Sequence, residues 1–326
     1  MLNKVIFITG ANGEMGYSLI KSFNDKGINN IIALDIDKPK HNFNVLDFIE
    51  GSILNSEILN MISEKYHIDS IFHLAAILST KAEKNPQLAN QVNIDGTKKI
   101  LDFGKNNALK QNSKILFFFP SSIAVYNVTG NNDVEIKEHE FCSNPMTEYG
   151  RAKLHCEKMG NDYEFNNGTA GLDFRSIRFP GIISASSLPT GGTSDYAPEM
   201  IHAAANNTLY KCFVSNDRQL PFIVMPDAID AIFKIAEIPK KNLLKKSYNI
   251  SSFNPSVESF YRKTKEFFPE FNMTYSIDDK RQAIVDRWPN AVNCEAAKKD
   301  WGWLASYDFE TAYIDYLIPE IKNKYN

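Results

Sequence analysis

Short apolar runs recur through the first half of the chain, and each is followed by a stretch whose apolar residues return every three or four positions. Lys4-Val5-Ile6-Phe7-Ile8-Thr9 is rich in β-branched and aromatic residues, the composition of a strand buried on both faces. Gly10, Gly13 and Gly16 punctuate the segment after it, and Tyr17, Leu19, Ile20 and Phe23 then trace a helical face. The alternation continues with a strand at 30–34 ending at Asp35, a helix at about 58–66, and a strand at 70–76. A helix over roughly 88–107 and a strand at 114–119 come next, and a helix carrying Tyr149 precedes a strand at 173–179. Strands alternating with helices predict an α/β fold built on a doubly wound parallel sheet.

The character changes after about residue 185. Turn residues cluster at Pro189-Thr190-Gly191-Gly192, and amphipathic helices are expected near 198–205 and 257–268. The expected organisation is a sheet-forming domain over 1–180 and a smaller α/β cap over 181–326, with segments between about 220 and 250 returning to the first domain.

At 326 residues the chain can bury a large core. With 23% charged residues and a net charge of −3, it carries no dominant electrostatic footprint for nucleic acid or membrane. No apolar stretch reaches membrane-spanning length, and the N-terminal run lacks a signal-peptide cleavage pattern, so a cytoplasmic protein is expected. The four cysteines, Cys142, Cys156, Cys212 and Cys294, are widely spread without metal-ligand spacing and read as reduced thiols; no metal is expected.

Chemistry enters with Gly10-x-x-Gly13-x-x-Gly16, which stands after the first strand and opens a helix. Glycines there allow a tight turn and a close backbone approach to a pyrophosphate, whose charge the helix N-terminus stabilises. Asn12, Glu14 and Met15 fill the same loop. Asp35, 19 residues beyond Gly16 at the end of the second strand, is placed to accept hydrogen bonds from an adenosine ribose, with Ile36 beside it. A carboxylate there repels a 2′-phosphate, so NAD is expected over NADP.

Tyr149 and Lys153 stand four apart, which stacks them on one helix face. An ammonium beside a phenol favours the phenolate and makes a base of the tyrosine. The pair alone is equally compatible with a surface contact. The glycine spacing, however, resembles that of the short-chain dehydrogenase/reductase superfamily in its extended, Rossmann-type form. His73-Leu74-Ala75-Ala76 resembles that group's dinucleotide-lining segment, which implicates Leu74, Ala75 and Ala76. Gly51-Ser52-Ile53 resembles its adenine-contacting pair, with Ser52 in place of the usual Asp, and Asn93 matches a characteristic helical Asn. Pro120-Ser121-Ser122-Ile123-Ala124-Val125-Tyr126 resembles the segment whose serine holds the reacting oxygen, here Ser122, although Asn127 replaces the usual Gly. The resemblance implies that Tyr149 takes the proton of a substrate alcohol while hydride passes to the nicotinamide. Ser122 then holds the oxygen, Lys153 holds the nicotinamide ribose, and Pro180 and Ile182 run along the nicotinamide.

Gly171 to Ser184, Gly191-Gly192-Thr193-Ser194-Asp195-Tyr196-Ala197, Arg281-Gln282-Ala283-Ile284 with Trp288-Pro289, and Asp300-Trp301-Gly302-Trp303 resemble short-chain-type L-threonine 3-dehydrogenases. Arg287, and Asn293-Cys294, depart from that pattern. The resemblance implies oxidation of L-threonine by NAD at the β-hydroxyl to 2-amino-3-oxobutyrate. It also implies substrate contacts from Ser79, Ser122, Tyr149 and Thr193, with Gly191 and Gly192 bringing backbone amides to the carboxylate. Trp288, Trp301 and Trp303 are expected to pack in the core. A homodimer through the helices at about 88–107 and 149–165 is implied as well. A nucleotide-sugar 4-epimerase would share Tyr149 and Lys153, and a non-catalytic dinucleotide-binding redox sensor is a third reading.

Overall fold

A computed structural model describes residues 4–130, 135–189 and 191–325; Thr190 of the expected turn cluster lies outside them. β1 (Lys4–Thr9) feeds α1 (Glu14–Asp25), followed by β2 (Ile31–Asp35) and β3 (Asp47–Glu50). Next come α2 (Ser56–Lys65), β4 (His67–His73), α3 (Ser79–Lys84), α4 (Pro86–Asn90), a π-helical turn (Gln91–Gly96), α5 (Thr97–Gln111) and β5 (Lys114–Ser122). α6 (Glu148–Tyr163), β6 (Phe165–Asn167) and β7 (Ala170–Phe179) follow. The later part holds β8 (Gly181–Ile183), α7 (Tyr196–Ala205), β9 (Tyr210–Cys212), β10 (Phe222–Val224), α8 (Met225–Glu237), β11 (Tyr248–Asn249), α9 (Val257–Phe267) and β12 (Met273–Tyr275). Four helices end the chain: α10 (Asp279–Val285), α11 (Glu295–Trp301), α12 (Phe309–Thr311) and α13 (Ile318–Tyr325).

The main sheet has the order β3-β2-β1-β4-β5-β7-β11, all parallel, with β6 antiparallel beside β7. It is an open, Rossmann-type doubly wound sheet. α1 and α8 cover one face, burying Leu19, Ile20, Phe23, Ile229 and Ile232; α2, α5 and α6 cover the other. Burying each such aliphatic or aromatic side chain contributes about 1.5–3 kcal/mol, so the amphipathic stripe of α1 suffices to dock it. From β1 the chain steps outward through β2 and β3, then returns to place β4 on the other side. Open α/β sheets bind ligands outside the carboxyl ends of the strands at such a reversal, and here Gly10 leaves β1 and Leu74 leaves β4.

Two expected elements differ in detail. The strand expected at 70–76 stops at His73, and Leu74–Ala76 turn over the end of β1, with Leu74 N donating to Thr9 O at 3.1 Å and Ala75 N to Thr9 Oγ1 at 3.3 Å. The helix expected at 88–107 is three pieces, because a π-helical turn at Gln91–Gly96 interrupts it. Of the segments expected to rejoin the sheet, 247–250 supplies β11 beside β7, whereas 220–224 supplies β10, which pairs with β8 in a separate small sheet. β9 and β12 form another. A separate apolar cluster around Tyr196, Phe222, Phe260 and Tyr313 packs the later elements together with Ile123–Tyr126 and Leu154.

Candidate active site

Gly10 adopts φ +73°, and a Cβ there would sit 2.6 Å from Ala75 N; one at Gly16 would sit 2.2 Å from Gly10 O. Only a bare backbone lets the first turn of α1 close against the 74–76 loop. No side chain caps α1 at Gly13, so its first N–H groups remain available to an anion. Asp35 Oδ2 accepts from Asn12 N at 2.9 Å and Oδ1 from Asp37 N at 3.2 Å. The Asn12 side chain in turn binds the carbonyls of Asp37 and Lys38, each at 3.0 Å, and Lys40 N. Asp35 thus joins the glycine loop to the end of β2, with Ile36 exposed beside it.

A cleft of about 280 Å³ opens at the strand reversal. Gly10, Gly13, Glu14, Met15 and Gly16 line one end, Leu74, Ala76 and Ser79 one wall, and Pro180 and Ile182 another. Ser122, Tyr149 and Lys153 face it from β5 and α6, and Gly192 and Thr193 from the cap. Ala75 turns its backbone to Gly10 and lies outside the lining, as do Asn12, Asp35, Ile36, Ser52, Ile53, Asn93 and Gly191. Ser52 Oγ accepts from Leu54 N at 3.1 Å, and Ile53 is buried against Gly96. Asn93 clamps the backbone of Ile77, accepting from its N at 2.7 Å and donating to its O at 2.9 Å, so it shapes the 74–78 loop.

α6 reaches the cleft because of Gly150, whose Cβ would fall 2.0 Å from Ala124 O. That close approach sets Tyr149 beside the turn after Ser122. Lys153 is buried; its Nζ donates to Pro120 O at 2.6 Å and lies 4.6 Å from the Phe119 ring centroid and 5.5 Å from that of Tyr149. Burial pulls the Lys153 ammonium down to about 8, with Cys156 and Glu157 opposing. Tyr149 is half-buried, and the protein packed around it pushes its phenol well above the ordinary value. Lys153 is thus desolvated and engaged by Pro120, and in place of the expected depression of the phenol by the lysine, burial raises it. Ser122 Oγ accepts from Ala124 N at 3.1 Å.

Beneath the cleft, His73 spans Thr9 Oγ1 at 2.8 Å and Thr97 Oγ1 at 2.9 Å, and burial lowers it to about 3, so it is a neutral bridge. Thr193 Oγ1 donates to Ser79 Oγ at 3.4 Å, closing the cap loop on α3. The Gly192 amide, expected to face a substrate carboxylate, donates to Asp195 Oδ2 at 2.6 Å. Arg281 donates to Gly192 O at 2.5 Å and stacks 3.3 Å over Phe213, which fixes this loop from α10.

Sequence reasoning missed Asp195, Ser184, Ser187, Met225 and Pro198 as lining residues, and placed Trp288 in the core. Trp288 does pack in the apolar cluster around Tyr196 and also lines the cleft. Asp195 was legible within its motif; Met225 and Trp288 come from elements too far along the chain for spacing to reveal. Among the described residues no cluster of His, Cys, Asp or Glu could hold a metal ion, and no helix is long and apolar enough to cross a membrane.

The model of the NAD dependent epimerase/dehydratase family matches residues 6–251. The chain belongs to that family. It is 36% identical over 306 residues to the mitochondrial L-threonine 3-dehydrogenase of Bos taurus, covering 93% of this chain and 79% of the relative. A partial consensus L-threonine 3-dehydrogenase superposes with a TM-score of 0.88 at 33% identity, over 97% of this chain and 99% of that one. A monomeric L-threonine 3-dehydrogenase from a metagenome superposes with a TM-score of 0.85 at 34% identity, over 99% and 100%. The glycine cradle, the uncapped α1 and Asp35 fit the dinucleotide for which the family is named.

Proposed function

We propose that the chain is an NAD-dependent L-threonine 3-dehydrogenase that oxidises the β-hydroxyl to 2-amino-3-oxobutyrate. The observation that carries this is the single cleft in which Ser122, Tyr149 and Lys153 meet the cap loop at Ser79 and Thr193, in a chain 36% identical to a threonine dehydrogenase over 93% of its length. The glycine loop with Asn12, Glu14 and Met15 would hold the pyrophosphate, and Asp35 with Ile36 the adenosine ribose. Ser52 and Ile53 would stand at the adenine, Leu74–Ala76 and Asn93 beneath the dinucleotide, and Pro180, Ile182 and Lys153 at its nicotinamide end. When bound, NAD would supply the hydride acceptor and, in its oxidised form, a positive charge. Tyr149 Oη takes the hydroxyl proton, and Ser122 Oγ holds the oxygen that loses it. Lys153 presents a cation beside the phenol and offsets part of the cost of ionising it.

Among the charged side chains lining the cleft are Glu14, Lys153 and Asp195; among the described residues no arginine lines it to grip a nucleotide diphosphate, which disfavours the epimerase reading. In the proposed division, 1–180 seats the dinucleotide and 181–326 mainly the substrate, with 220–250 contributing α8 and β11 to the first part. We place the protein in the cytoplasm as a homodimer through α5 and α6, which lie side by side on one face of the sheet with Leu88 and Leu109 exposed nearby. Incubating the purified protein with NAD and L-threonine tests the activity. Threonine-dependent NADH is expected; no NADH, together with interconversion of UDP-glucose and UDP-galactose, would replace this reading with the epimerase.

A further inference from the structure

Behind the cleft lies a buried ionic group that the chemistry above does not use. Glu157 follows Lys153 by one turn of α6, on the face that carries Tyr149 and Lys153. Its carboxylate accepts from Arg178 Nε at 2.8 Å and from Nη2 at 2.7 Å, and both residues are buried. Arg178 Nη1 donates to Tyr126 Oη at 2.9 Å and to Glu138 O at 2.5 Å. Tyr126 Oη donates to Asn249 Oδ1 at 2.7 Å, and Asn249 Nδ2 to Ile136 O at 3.0 Å.

The connectivity is more telling than the individual bonds. Glu157 lies four residues after Lys153, Tyr126 four after Ser122, and Arg178 two before Pro180. One node therefore joins the three elements from which the proposed redox centre is built. Stability alone does not account for it, because a buried ion pair can commonly be replaced by apolar residues without loss. A bidentate guanidinium–carboxylate pair fixes geometry in two directions, which apolar packing does not.

We infer that Glu157 and Arg178 form a positioning pair for hydride transfer: Glu157 supplies the negative charge facing Lys153, and Arg178 locks α6 to β7 and to the Ser122 turn. The inference rests on Tyr149 and Lys153 being the redox pair. The groups around Lys153 are few. Tyr149, Cys156 and Glu157 face it from α6, neutral His73 from β4, the Pro120 carbonyl and Phe119 ring from β5, and Arg178 stands behind Glu157 on β7. Among the nearby ionisable groups Cys156 and Glu157 favour the charged lysine, and burial pushes the Cys156 thiol up to about 11, which leaves the Glu157 carboxylate, held by Arg178, as the acidic group facing Lys153 from α6.

The test is the pH profile of kcat and kcat/KM for threonine oxidation, with Tm and NAD affinity measured alongside, for wild type, Glu157→Gln and the paired Glu157→Gln/Arg178→Met. Glu157→Gln is expected to move the alkaline limb of kcat down by about one pH unit, a roughly tenfold loss above it. The single variant leaves Arg178 unpaired and can unfold for that reason; the paired variant removes that cation. The paired variant is expected to fold, bind NAD within about threefold of wild type, and keep a smaller downward shift. A folded paired variant with the wild-type profile and kcat would overturn the inference. So would failure of the paired variant to fold, which would make the pair a stability element. Wild-type protein that forms no NADH from threonine would defeat the functional reading itself, whatever the variants do.

Discussion

Replacing Tyr149 with Phe removes only the oxygen that exchanges the substrate proton and leaves the ring beneath Lys153 in place. NAD affinity, read by fluorescence titration, is expected to stay within about threefold, and kcat to fall by about 10²–10⁴, the usual contribution of a positioned base. An unchanged rate would remove Tyr149 from the mechanism. His73 gives a prediction about acid stability. Its folded pKa, lowered to about 3 by burial, lies below the unfolded value of about 6.5. Between those values the unfolded chain binds the extra proton, so stability falls as pH drops through this window. His73→Gln is expected to flatten the dependence of the urea midpoint between about pH 4 and 6 by one proton, roughly 1 kcal/mol per pH unit; an identical slope would show that His73 is not the group. The chemistry at this scale is legible wherever it is local. A seven-residue glycine loop, an aspartate closing a strand and a Tyr–Lys pair one turn apart declare themselves by spacing. Glu157 with Arg178, and Ser79 with Thr193, meet only through the fold, 21 and 114 residues apart in sequence.

The helix α6 is held where it is by a missing side chain. A Cβ at position 150 would strike Ala124 O at 2.0 Å, so Gly150→Ala must push α6 away from the turn that carries Ser122. Overpacking of this kind costs typically about 1–3 kcal/mol. The expected outcome is a lower Tm together with a fall in kcat larger than the change in NAD affinity. A variant with native Tm and kcat would mean that the contact is loose. Long elements with continuous apolar runs or a wide helical stripe could be read from the chain, β1, β2, β5 and α1 among them. β8 to β12 have two or three residues each, too few for any periodicity to register. The π-helical turn at Gln91–Gly96 carries no sequence signal, and within it Asn93 clamps Ile77.

At the scale of the molecule, one sheet carries the glycine loop and the proposed proton-transfer residues, and the 191–195 loop, held by Asp195 and Arg281, meets α3 through Thr193 and Ser79. The apolar patterning separates sheet from cap, but it leaves open how the cap meets the sheet, since those contacts join residues a hundred or more positions apart. The proposed α5–α6 pairing predicts a particle of twice the chain mass by light scattering; a single-chain mass, as in the monomeric relative, would contradict the dimer and leave the site intact. The central claim is that the cleft transfers hydride from the threonine β-carbon. Purified protein given NAD and L-threonine deuterated at that carbon should form NADH that carries the deuterium. NADH formation that is independent of threonine, or no NADH at all, would contradict it.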